Sequence, residues 1–141
     1  MGFEQAQKAW GLALAVVVTA VYLVVVAARA VTDGLPLAEV AWQGPMLCTV
    51  VAGGVLYGVA RAVAGWRLRG RILVDERDVA IGRRAEEVGS GLTGLAVLVV
   101  LVMLALDAEP FWVAHVLFLG SFLGSVAGTG AALAAYRDGL P

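Results

Sequence analysis

The chain has 141 residues, of which 61% are hydrophobic and 15% charged, against roughly 45–50% and about 25% in soluble domains. Lys and Arg total 10 and Asp and Glu 11, a net charge of -1, which excludes an overall basic nucleic-acid binder and an acidic disordered tail. One cysteine and one histidine exclude an internal disulfide and a structural zinc site. Lipid is the solvent this composition suits.

The first uncharged run lies between Lys8 and Arg29 and predicts a span over about 9–29. A hydrocarbon core of about 30 Å takes roughly 20 apolar residues at 1.5 Å each. Every backbone N–H and C=O must be paired inside that core, so the run is read as helix despite its valines. It exceeds a signal-peptide core of about 7–15 residues, and only Lys8 precedes it as a basic group. Tyr22 falls mid-span, where its hydroxyl bonds a neighbouring helix or contacts a ligand. Asp33-Gly34-Leu35-Pro36 reads as a turn.

A second span is predicted over about 40–62. Cys48 reads there as a small apolar filler. Gly54, Gly58 and Ala62 recur every four residues, a small-residue ridge that lets another helix approach closely.

The segment over about 63–87 is the sizeable charged portion of the chain. Arg67, Arg69 and Arg71 alternate with other residues, where they set topology and reach anionic headgroups. Asp75 is a candidate N-cap, with Glu76 and Asp78 placing negative charge on a first helical turn. Ile81, Ala85, Val88 and Leu92 form one apolar helical face, and Arg83 and Glu87 are an i,i+4 pair. The pattern predicts an amphipathic helix that starts near Asp75 and continues into a third span over about 88–106. Its length is about 48 Å, with Gly89, Ser90 and Gly91 marking a bend or a close-packing point. Carboxylates at Asp75, Glu76 and Asp78 lack the further acidic cluster a hard cation would need, so capping and ion pairing are the better reading.

Asp75-Glu76-Arg77, then Ile81, then Arg84-Ala85, resembles the D-E-R-x-x-x-I-x-x-[KR]-A segment of a family of small four-span membrane proteins of bacteria and archaea. In that family the segment also sits between the second and third spans. The resemblance implies architecture and carries no reaction or ligand. Some members are encoded beside small transcription regulators, which implies a sensing or accessory role at the membrane.

Asp107-Ala108-Glu109-Pro110 is a tighter turn, with Pro110 suited to the first position of a fourth helix over about 110–136. His115 lies about 7–8 Å below that end. No Asp, Glu, Lys or Arg interrupts the four runs, which leaves His115 beside Tyr22 as a candidate for ligand contact, though a haem site would want a second strong ligand and a proton relay a carboxylate. Gly120, Gly124 and Gly128, continued by Ala132, form the clearest small-residue ridge. It suits packing on helix two or one, or on a second copy of the chain.

Basic residues set the orientation. With both termini cytoplasmic, nine Lys and Arg lie inside and Arg29 alone outside, as the positive-inside bias requires. Trp10 and Trp66 then fall at the inner boundary and Trp42 and Trp112 at the outer one, where an indole N–H stays wet. The reading is therefore an all-α integral membrane protein of a single domain, 1–141. It is a four-helix transmembrane bundle of the bacterial inner membrane, with cytoplasmic N and C termini and an amphipathic cytoplasmic helix entering span three. Its expected role is structural, sensing or accessory and not enzymatic, with no cofactor and no metal. Expected partners are anionic headgroups on the cytoplasmic side, a second copy or another membrane protein, and no nucleic acid. The rival readings are a small dimeric efflux or ion-permeation protein and a small lipid-acting enzyme. The first lacks an intramembrane carboxylate, the second a nucleophile–base pair.

Overall fold

The computed structural model describes residues 3–67 and 76–138, and these form four long helices. They are α1 (Phe3–Asp33), α2 (Gln43–Arg67), α3 (Glu76–Ala105) and α4 (Pro110–Asp138), with a short 3-10 turn at Leu37–Glu39. Each helix contains a stretch long and apolar enough to cross a membrane: Lys8–Asp33, Gln43–Ala60, Val79–Ala105 and Pro110–Arg137. Only 6% to 17% of each apolar stretch is buried within the protein. Valines and leucines such as Val24, Val51, Leu98 and Leu101 stand exposed. Such a surface would be insoluble in water and is readily solvated by hydrocarbon.

Local chemistry accounts for the helix ends. Gly34 takes the left-handed conformation (φ 62°) after α1, and Leu35 N–H donates to Ala30 C=O at 3.1 Å, so the last turn closes on itself. Asp107 does the same after α3, with φ 52°. There Ala108 N–H donates to Met103 C=O at 2.9 Å, and Asp107 N–H to Leu104 C=O at 3.2 Å. The two turns share one cap geometry, but one uses the residue that adopts it freely and the other a residue that is strained by it. Pro110 opens α4, and Glu109 C=O accepts the first helical bonds from Trp112 and Val113. Pro45 sits in the first turn of α2, where its missing N–H leaves no bond unmade.

α1 outruns its predicted span at both ends, whereas α2 begins at Gln43, three residues inside the predicted start, and extends past the predicted end to Arg67. The amphipathic segment and the third span form one unbroken helix from Glu76 to Ala105. Asp75, Arg69 and Arg71 lie outside the described residues, as do the side chains of Arg67, Glu76 and Asp78.

The chain divides into two compact units: Ala13–Val74, and Met1–Leu12 with Asp75–Pro141. In the second unit α3 and α4 run antiparallel with their backbones in close approach along their length. Lys8 Nζ lies 5.3 Å from the centre of the Tyr136 ring, a cation–π distance. In the first unit α1 and α2 meet through side chains: a Cβ placed on Gly53 would lie 3.7 Å from Val18 Cγ1.

Candidate functional site

The charged end of α3 is the first candidate, and its geometry follows from how α3 is mounted on α4. A Cβ built on Gly128 would lie 2.6 Å from the Ala85 carbonyl oxygen. One built on Gly124 would lie 2.7 Å from the Gly89 oxygen and 2.5 Å from Thr93 Oγ1, and one on Gly120 would collide with the Ala96 Cβ. Real side chains do not occupy such distances, so hydrogen is the only substituent these three positions accept. The glycine ridge of α4 thus packs on α3, a neighbour that the sequence reading did not name. Its counterpart on α3 is Ala85, Gly89, Thr93 and Ala96, themselves small and spaced by three or four residues. That spacing was the available signal for the pairing. Thr93 Oγ1 donates to Gly89 C=O at 3.0 Å, so its hydroxyl is satisfied within its own helix.

The same seam divides the charged motif into two faces. Ile81 is fully buried and lies on the edge of Ala85 and Gly89, at the level of Ala132 in the antiparallel register. Arg77, Arg83, Arg84, Glu86 and Glu87 are exposed. Arg83 Nε and Glu87 Oε1 are 3.6 Å apart, an exposed i,i+4 ion pair. The predicted apolar face needs correction: Ile81 and Ala85 lie on the packed edge, but Val88 and Leu92 are exposed. Close packing takes Gly89 and Thr93 in their place, since in hydrocarbon the larger apolar side chains gain nothing by turning inward. Gly89 is a close-packing point, and α3 continues through Ser90 and Gly91 without interruption.

His115 is buried on α4 and forms a second candidate. Its Nδ1 is 2.6 Å from the Phe111 carbonyl oxygen. A carbonyl only accepts, so Nδ1–H is the donor in this bond. The Phe111 ring lies against the imidazole, centroids 3.9 Å apart and 32° between planes. No group of three His, Cys, Asp or Glu side chains suited to a metal ion occurs among the described residues.

The third candidate lies between α1 and α2. A groove of about 470 Å³ is lined on the α1 side by Val21, Tyr22, Val25 and Arg29. Tyr22, singled out for ligand contact, is buried against it. Cys48 also lines it and is exposed; it does not fill a packed interior, because the helices stand apart there. Arg29 Nη1 donates to the Ala41 carbonyl oxygen at 2.9 Å, tying the end of α1 to the approach of α2. Trp42, expected at a wet boundary, is buried. Gly54 and Gly58 face open space, with nothing within 4 Å of an added Cβ.

Compared with known proteins, the chain matches no family model, no curated protein and no solved structure.

Proposed function

We propose that this chain is a non-enzymatic, multi-pass protein of the bacterial inner membrane, with its termini and the charged end of α3 in the cytoplasm. The four helices form a transmembrane bundle, and the outward side chains of that charged end make the working contact. Arg77 and Arg84 bind a partner protein or a second copy, while Arg67, Arg69 and Arg71 hold anionic headgroups at the membrane surface. The role is sensing or accessory: what docks on the charged end is felt by the membrane hairpin.

The observation behind this reading is the continuity of α3. Charged turns and membrane turns belong to one helix from Glu76 to Ala105, clamped to α4 where the two regions join, at Ala85 and Gly89. A helix clamped at that point moves as a rigid lever rather than bending, so force at Arg77 reaches the α3–α4 seam. Basic residues outnumber those at the Arg29 end nine to one, which supports the orientation.

Charge reversal tests the contact. Arg77→Glu and Arg84→Glu are surface changes that leave the seam intact, and they should abolish partner capture by in-cell crosslinking at unchanged protein abundance. Unchanged crosslinks and an unchanged phenotype would refute the reading. Arg77→Cys in a Cys48→Ser background should be closed to impermeant thiol reagents in whole cells and open in inverted vesicles.

A further inference from the structure

We propose that the groove between α1 and α2 is a lipid site, in which an anionic phospholipid lays one acyl chain along the two helices and places its phosphate on Arg29. This inference goes beyond the proposed function and rests only on the embedding of α1 and α2 in a membrane.

The walls select the chain. Val21 and Val25 present branched apolar side chains from α1, and Pro45 and Gly44 face them from α2. Gly44 contributes no side chain, and a Cβ there would meet nothing within 4 Å, so the groove is open along its α2 wall. Its volume of about 470 Å³ falls in the roughly 300–1,000 Å³ range of small-ligand pockets. From Val21 to Arg29 is about 12 Å of helix, most of the roughly 15 Å depth of one leaflet's hydrocarbon. Water has few polar partners along such walls, and an unfilled void loses dispersion contacts on every side. A lipid tail, already present at high concentration at that depth, fills the groove without being drawn from water.

The mouth selects the headgroup. Arg29 closes the groove at its shallow end, and its Nη1 is held by the Ala41 carbonyl at 2.9 Å. That bond uses one of five guanidinium donors and fixes the plane of the rest. Asp33, one turn further on, and Glu39 in the connection are the carboxylates close in sequence. Neither forms an ion pair with Arg29 among the described residues. A cation at the edge of hydrocarbon is costly until neutralised, and a planar guanidinium takes a phosphate through two parallel N–H···O bonds.

Photocrosslinking of the full chain reads both halves of the proposal. The protein is reconstituted in phosphatidylcholine vesicles with a minority of phosphatidylglycerol whose acyl chain carries a diazirine. Adducts should concentrate on peptides covering residues 21–25 and 44–49. Arg29→Gln should lower the phosphatidylglycerol adduct about fivefold, the factor one interfacial arginine contributes, and leave the adduct from a diazirine phosphatidylcholine unchanged. Arg29→Lys should retain most of the preference. Gly44→Leu fills the groove without disturbing Arg29 and should remove both adducts, so the proposal stays testable if Arg29→Gln fails to fold. Adducts no denser in the groove than on the exposed Leu98 and Leu101 would overturn it. So would an unchanged headgroup preference in Arg29→Gln, or loss of that preference to inorganic phosphate with no tail adduct in the groove.

Discussion

The α1–α2 and α3–α4 hairpins are built from similar parts and packed in different ways. Each joins two long apolar helices through a left-handed cap, at Gly34 in one and Asp107 in the other, and each has a glycine-rich second helix. Yet α3 and α4 approach at backbone distance, while Gly54 and Gly58 of α2 face open space. The difference lies in the first helix of each pair. Along α3 the packed edge is Ala85, Gly89, Thr93 and Ala96, so small residues meet the glycines of α4. Along α1 the run from Val16 to Val26 is dominated by valine, with Tyr22 and Leu23, and Gly53 meets Val18 at ordinary contact distance. A small-residue ridge is half of an interface. Without a small partner it stays open, and the groove between α1 and α2 lies beyond it, toward the start of α2.

The largest effect expected from breaking this contrast is at Gly124. Gly124→Val would push carbon into the Gly89 carbonyl, which cannot rotate away, and should destabilise the α3–α4 hairpin by about 3 kcal/mol, the upper range for overpacking. Gly58→Val, into open space, should change stability by less than about 0.5 kcal/mol. Reversible unfolding in detergent or bicelles measures both, and equal losses would remove the distinction between the hairpins. Ile81→Ala should cost about 2 kcal/mol, the low end for a buried isoleucine, because a cavity near the membrane surface partly refills. Val51→Ala on the exposed face of α2 is the matching control and should be nearly silent.

The caps sharpen the comparison at a smaller scale. Gly34→Ala should lose about 1 kcal/mol through the left-handed backbone, and Asp107→Gly should gain up to about 1 kcal/mol by relieving the same conformation. Opposite signs in thermal unfolding are the expected result. Glu87→Gln, which breaks the Arg83 pair, should cost no more than about 0.5 kcal/mol and become undetectable at high salt.

Much of the fold was legible in the residues. Charge-free runs located four helices, and Gly34 and Pro110 marked a turn and a helix start. The D-E-R segment marked a helix that runs unbroken into the third span. The candidate site was legible only in part. Ile81 and Ala85 stood out by spacing, but Val88 and Leu92 were drawn to the packed edge by a rule that holds in water. The groove at Arg29 left no pattern, since it arises from what α1 and α2 fail to fill.

Helix existence, length and turn position were determined by the sequence itself, because hydrocarbon offers the backbone no partner and forces each apolar run to pair its own N–H and C=O groups. Partner choice was decided only in three dimensions. Lipid solvates a valine as well as another helix does, so hydrophobicity does not say which face turns inward. That choice fell to steric fit between backbones, which brought Gly124 to Gly89 and left Gly58 facing outward.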